Sequence, residues 1–285
     1  MNTPFFFLHI PRTAGTTINS IIKHNFKPHE ILSIYRDSDY RRHETADAAL
    51  LDRIRLIQGH LLLATYDPPR IYGRDVRVFT FLRNPVERLI SEYLFQKSWP
   101  DNHLYRYLNE GKISFADYIT SRDKKLKYRG KNFMTRAVSG MDFDLEGFPR
   151  TALDTAKRHI EHVFGFVGIQ EMFDESLLLL RDFLGLRSIY HERMNVLRGG
   201  AKEPITEADR ALALERNAAD AELYAFAVET FKNRIAGRGP GFARELKAFR
   251  TINARFGRVC ALITQRDGPG TDTPVEMPKN LLFPE

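Results

Sequence analysis

A single cysteine among 285 residues, Cys260, excludes an intrachain disulfide and any cysteine-built metal cluster. Long apolar runs are missing too. Phe5 to Leu8 is far shorter than the ~20 residues a membrane span needs. The basic-then-apolar layout of a secretory signal is not found at the start, so a soluble, cytoplasmic chain without a membrane span is expected. The sequence G-x-x-x-x-G-K-[ST] is absent, which removes the usual NTPase phosphate loop and argues against a nucleotide kinase. No cluster of side chains has metal-ligand spacing, so no metal is expected. Internal repeats are lacking.

What is present is ordinary globular material with a basic balance. Hydrophobic residues make up 43% and charged residues 28%, which supports a packed core over most of the length. Lys and Arg number 43 against 36 Asp and Glu, a formal charge of +7. That balance suits an anionic partner without choosing among nucleotide, nucleic acid, lipid, glycan or acidic peptide. One domain over residues 1–265 is expected, followed by a loosely held tail at 266–285 rich in Gly, Pro and Asp.

Strands and helices alternate along the chain. Phe5-Phe6-Phe7-Leu8 suits a strand buried on both faces. After a polar loop, Ile18, Ile21 and Ile22 recur at helical spacing. Ile54 to Gln58 reads as a strand ending at Gly59-His60, and Val76 to Leu82 as another. Arg83-Asn84 turns the second of these into a helix with Pro85 at its first position. Asn84 and Glu87 have the spacing of a capping box. Val163 to Val167 reads as a further strand, Glu171 to Leu184 as a helix that Gly185 ends, and Ile205 to about Lys247 as helical with a start near Thr206 and Asp209. The expected fold is therefore α/β, with a central, mainly parallel sheet covered on both faces and helical additions in the second half. Ligands of such sheets lie beyond the carboxyl ends of the strands, so the loops at 9–17, 59–60 and 83–85 should share one rim. The basic, aromatic stretch from Gln96 to Arg136, including Lys124 to Arg129, reads as helices and loops over the mouth of the site.

Two segments carry phosphate chemistry. In the loop at 9–17 a helix N-terminus offers amide N–H groups to an anion. Gly15 permits close approach, Thr16 and Thr17 add hydroxyls, and Arg12 adds a bidentate cation. Arg83, at a strand end, and Ser91, two turns into the following helix, can converge on a second phosphate.

Together these segments resemble PAPS-dependent sulfotransferases (PAPS is 3'-phosphoadenosine 5'-phosphosulfate). Leu8 to Thr17 is similar to their 5'-phosphosulfate loop, and Phe81 to Tyr93 to their 3'-phosphate element. The nearest resemblance is to carbohydrate sulfotransferases of the heparan 2-O-sulfotransferase type. Weaker similarities lie at Asn132 to Arg136, Val167 to Glu171 and Asn217 to Tyr224. The resemblance implies a P-loop-like, three-layer fold. It also implies that Arg12, Thr13, Ala14, Gly15, Thr16 and Thr17 hold the 5' phosphosulfate while Arg83 and Ser91 hold the 3' phosphate.

One residue departs from the glycan-modifying pattern. Most such relatives carry Lys where this chain has Arg12, whereas protein-tyrosine sulfotransferases use Pro-Arg. A glycan hydroxyl and a tyrosine in an acidic peptide both stay open as acceptors. Nucleic acid is not an expected partner. A non-enzymatic polyanion binder would explain the charge but not the paired phosphate segments. The acceptor hydroxyl needs a general base with a pKa near neutrality. His60 resembles the histidine that serves in the 2-O-sulfotransferase group, with Glu92 and Glu171 as alternatives and His9 orienting the loop.

Overall fold

The computed structural model describes residues 3–35, 39, 52–60, 75–123, 125–126, 131–141, 150–192 and 204–266. Among them are the strands β1 (Phe5–Leu8), β2 (Ile31–Ile34), β3 (Leu56–Gly59), β4 (Arg77–Leu82) and β5 (Phe164–Ile169). The helices are α1 (Gly15–Asn25), α2 (Pro85–Ser98), α3 (Tyr105–Glu110), α4 (Phe115–Thr120), α5 (Phe133–Ser139), α6 (Arg150–His162), α7 (Phe173–Leu184), α8 (Glu207–Arg216), α9 (Ala218–Ala236) and α10 (Gly241–Arg266).

Every residue of β1 is buried, as a strand covered on both faces requires. It pairs in parallel with β3 on one side and β4 on the other, and the sheet runs β2-β3-β1-β4-β5 with all pairs parallel. The parallel α/β expectation is met. Leu8 lies level with Gly59 and with Thr80, so the chain leaves β1, β3 and β4 at the same edge. Thr80 Oγ1 donates to Leu8 O at 2.8 Å and pins that edge.

Several boundaries differ from the sequence reading. β3 spans Leu56–Gly59 rather than 54–58, and β5 runs on to Ile169. β2 had no counterpart in the reading. It is a short edge strand whose first three residues are only partly covered, so it lacks the continuous apolar run that marked β1. The helical stretch from Ile205 is three helices, and the last continues to Arg266, well past Lys247. Its Phe249 stacks on Tyr190 with centroids 6.0 Å apart, extending the apolar stripe beyond the expected stop. Residues 267–285, most of the expected tail, lie outside the described residues. Other expectations hold: Thr206 and Asp209 form a reciprocal capping box at α8, and Gly185, at φ 68°, ends α7.

The stretch from Gln96 to Arg136 does not simply cover the site. Leu104, Leu108, Phe115, Tyr118 and Ile119 need burial, and they find it against Leu89, Ile90 and Tyr93 of α2 in a second apolar cluster. Of the basic run at its centre, Lys124 and residues 127–130 lie outside the described residues. Among the described residues no helix is long and apolar enough to cross a membrane.

Candidate active site

At the end of β1 the chain enters a tight loop in which Arg12 and Ala14 both adopt positive φ, 67° and 69°. Two non-glycine residues in the left-handed region cost of order 1–3 kcal/mol each, strain that must be held in place by the surroundings. Thr13 supplies one brace: fully buried, it donates from Oγ1 to Ile10 O at 2.8 Å. Arg83 supplies another, donating to Arg12 O at 3.2 Å. Ala14 offers no side-chain cap to α1, whose first turn carries Gly15, Thr16 and Thr17 along the cleft wall. This is a helix N-terminus aimed at a cleft, the arrangement that favours an anion.

The cleft has a volume of about 1430 Å³ and is lined by Arg12, Ala14, Gly15, Thr16, Thr17, His60, Arg83 and Ser91, among others. The loops after β1, β3 and β4 thus share one rim, as expected. Of the residues expected to hold phosphate, Thr13 is the exception. Its side chain points into the protein and its hydroxyl proton is committed to Ile10, which leaves only its backbone for a ligand.

The two segments expected to bind phosphate meet directly. Arg12 Nε donates to Ser91 Oγ at 3.1 Å, and the Arg12 guanidinium lies 4.4 Å above the Phe95 ring. Burial first, then the Arg83 charge, pull the Arg12 guanidinium below its ordinary value. Burial does the same for Arg83. Both stay protonated at neutral pH, so the rim stores positive charge in a partly desolvated place.

Gly15 is small for a reason other than ligand approach. A Cβ there would stand 1.6 Å from His9 Nε2, so the His9 ring occupies the space over the loop. His9 Nδ1 lies 3.0 Å from the Tyr35 hydroxyl, which also accepts from Asn19 Nδ2 at 2.9 Å. Burial and the nearby His60 lower the His9 pKa to about 3, and burial raises Tyr35 to about 12, so both are neutral at any working pH.

His60 follows β3. Its Nδ1 lies 2.8 Å from His9 O; a carbonyl only accepts, so Nδ1 carries the proton and Nε2 is left with its lone pair. Burial lowers the His60 pKa below its ordinary value, opposed by the bond to His9 and by the Glu92 charge. His60 is therefore an oriented neutral imidazole on the cleft wall.

The alternative carboxylates are engaged elsewhere. Glu92 is buried and pairs with Arg88 at 3.1 Å, both side chains less than 5% exposed. Glu171 accepts from Asn84 N–H at 2.9 Å and from the Tyr224 hydroxyl at 2.8 Å. The capping box at α2 is consequently half as expected. Asn84 Oδ1 accepts from the Val86 and Glu87 N–H groups, but the reciprocal bond comes from Glu171 while Glu87 pairs with Arg210 on α8.

A buried polar lock between α5 and α9 was invisible in the sequence. Asp220 of α9 accepts from Met134 N–H, Thr135 N–H and Thr135 Oγ1 at 2.7 to 3.0 Å, capping α5. Asn132 Oδ1 returns a cap to Asp220 N–H at 3.1 Å. Burial, the largest influence, raises the Asp220 pKa, while these bonds and the Arg88 charge oppose it. The three weak sequence similarities thus form connected structure: 132–136 and 217–224 cap each other, and 167–171 joins them through Glu171 and Tyr224.

The chain matches the galactose-3-O-sulfotransferase family over residues 2–268. It belongs to that family. It is 29% identical over 276 residues to mouse galactose-3-O-sulfotransferase 3, covering 89% of this chain and 62% of that one. To bovine galactosylceramide sulfotransferase it is 27% identical over 203 residues, 68% of this chain and 47% of the relative. The chain therefore spans less than two thirds of the length of these relatives. A solved mouse sulfotransferase in complex with PAP covers 92% of the chain, and 89% of its own, at 13% identity and a TM-score of 0.41. The expected kinship with sulfotransferases is met, and the branch that matches is the one named for galactose 3-O transfer.

Proposed function

We propose that this protein transfers the sulfuryl group of PAPS to a glycan hydroxyl, the 3-hydroxyl of a galactoside being the acceptor class. The observation that carries this reading is the convergence of Arg12, Arg83 and Ser91 at the head of α1. Three donor groups and a helix N-terminus in one cleft suit a nucleotide with two separate anionic ends. Membership of a family named for galactose 3-O-sulfation supports the sulfuryl chemistry and the choice of a galactoside as acceptor.

The residues divide the reaction simply. His60 Nε2 takes the acceptor hydroxyl proton as that oxygen attacks sulfur and the bond from sulfur to the bridging phosphate oxygen breaks. Arg12 and the N–H groups of the first turn of α1 hold the charge that gathers on the departing phosphate. Arg12 cannot act as a proton donor, because a guanidinium keeps its proton, so its contribution is electrostatic. Arg83 and Ser91 hold the 3' phosphate and set the donor in line. The Glu92 charge, although paired with Arg88, favours the protonated forms of Arg12 and His60 and so stabilises the imidazolium that forms in the transition state. A tyrosine in an acidic peptide is a second reading, favoured only by the Pro11-Arg12 pair.

The test is transfer of labelled sulfate from PAPS to a β-galactoside by the purified chain, with an acidic tyrosine peptide in parallel. Arg12→Ala and Arg83→Ala are each expected to abolish nearly all transfer. Near-normal turnover in both variants would end the assignment.

A further inference from the structure

One large aromatic on the cleft wall is not used by any step above. Trp99, the sole tryptophan of the chain, is 46% exposed yet lines the cleft. It closes the C-terminal end of α2, where its N–H bonds Phe95 O at 3.2 Å. Its ring lies 5.2 Å from that of Phe95, whose other neighbour is the Arg12 guanidinium at 4.4 Å. Glu92, Phe95 and Trp99 stand at i, i+3 and i+7, so they share one face of α2. That face is turned toward Arg12, whose guanidinium lies over the Phe95 ring, and all three residues line the cleft. Along the helix Trp99 lies about 12 Å beyond Ser91, at 1.5 Å per residue. The turn that follows is fixed: Asn102 N–H bonds Trp99 O at 2.9 Å, and Asn102 Oδ1 accepts from Leu104 N–H at 2.9 Å. Asn102 and His103 both line the cleft, as Trp99 does.

Exposed aromatic surface in a cleft is costly to leave in water and marks a binding face. Its surroundings identify the ligand chemistry. The indole and Phe95, tilted 46° to one another, give adjoining apolar ring faces, and Asn102 and His103 add hydrogen-bonding groups to the same lining. A galactoside matches this pairing: its axial 4-hydroxyl leaves a patch of C–H groups on one face, which stacks on an aromatic ring, while its hydroxyls bond the polar groups.

We infer that Trp99, with Phe95 adjoining and Asn102 and His103 in the same lining, forms the acceptor platform, seating a neutral galactoside by its apolar face with the reacting hydroxyl directed toward His60. This rests on the sulfotransferase reading and specifies its acceptor side. Phe173, His191 and Asn253, which line the same cleft from other elements, are left for the donor's nucleoside.

Because Trp99 is the only tryptophan, its fluorescence reports this site alone. The chain saturated with PAP is titrated with a β-galactoside disaccharide while emission is followed, and the same acceptor is used in steady-state transfer. Expected is a saturable blue shift with the disaccharide at the concentration that gives its KM, with no comparable shift from PAP alone. Trp99→Ala should raise acceptor KM about tenfold and leave the KM for PAPS little changed, and Trp99→Phe should recover most of the loss. Emission that follows PAP and ignores the disaccharide would overturn the inference, since the indole would then serve the nucleoside. So would an unchanged acceptor KM in Trp99→Ala. Each of these failures can occur with normal transfer in the unaltered chain, whereas no transfer by the unaltered chain to any acceptor would bring down the sulfotransferase reading itself.

Discussion

Arg12 and Ser91 are 79 positions apart in sequence, yet Arg12 Nε donates to Ser91 Oγ at 3.1 Å. This bond ties the loop after β1 to α2 and joins the two proposed phosphate-binding segments into one place. A donor with phosphate at both ends of a ribose would engage both residues at once. Replacing Ser91 by Ala removes a hydroxyl donor from a phosphate and one restraint on Arg12. A hydrogen bond to a charged group contributes about 1.5 kcal/mol or more, so PAP affinity should fall roughly tenfold. Titration calorimetry with Ser91→Ala checks this, and thermal stability should be little altered because Ser91 lies on the cleft wall.

The pH dependence follows from His60. As a base it must be neutral, and burial lowers its pKa from the ordinary 6.5. Activity is therefore present above that lowered pKa and lost as pH falls through it. The acid limb of kcat/KM should lie below pH 6.5, with a plateau across neutrality. His60→Ala should lose about 10²- to 10⁴-fold and the limb with it. A limb centred above pH 7 in the unaltered chain would contradict the assignment.

Gly15 and His9 should be energetically coupled. A methyl group at 15 would overlap the His9 ring, and that ring sits between the loop, Tyr35 and His60. Overpacking of this kind costs about 1–3 kcal/mol, and Gly15→Ala should also depress transfer by moving the loop. His9→Ala introduced with it makes room for the methyl, so the double variant should be more stable than the sum of the two singles predicts, with a coupling of at least about 0.5 kcal/mol. Denaturant unfolding of the four proteins measures it. Strict additivity would mean that another feature keeps position 15 bare.

Asp220 concerns stability before chemistry. Asp220→Ala leaves two N–H groups and a hydroxyl buried without their acceptor, and removes a carboxylate that offsets the buried Arg88 charge. A loss of about 3–5 kcal/mol is expected. Asp220→Asn keeps one acceptor oxygen and should lose less. Urea midpoints of the two variants test the order.

Much of this site was legible because its parts are local. β1 is apolar throughout and β4 nearly so after Arg77, Gly15 and Pro85 stand where helices begin, and parallel strands must deliver their loops to one edge. Arg12, Arg83 and His60 could be placed on one rim from that rule, while Ser91 was reached through its spacing from Arg83 and the family resemblance. What could not be read depends on pairings across the chain. β2 is a short, half-covered edge strand whose stability comes from β3. Asp220 caps a helix that begins at Phe133, and Glu171 completes a cap at Asn84 that Glu87 was expected to make. Tyr35 gives no local sign of its contacts with His9 and His60. Thr13 looked like a ligand donor by its place in the loop, and only the packing shows its hydroxyl turned inward.

The central claim is that Arg83 and Ser91 read a phosphate on the 3' side of a nucleotide whose 5' end lies on the loop at Arg12. Calorimetric titration of the chain with PAP and with adenosine 5'-monophosphate tests it most directly. PAP should bind at least tenfold more tightly, and Arg83→Ala should erase most of that preference while weakening the monophosphate little. Equal affinity for the two nucleotides in the unaltered chain would contradict the account.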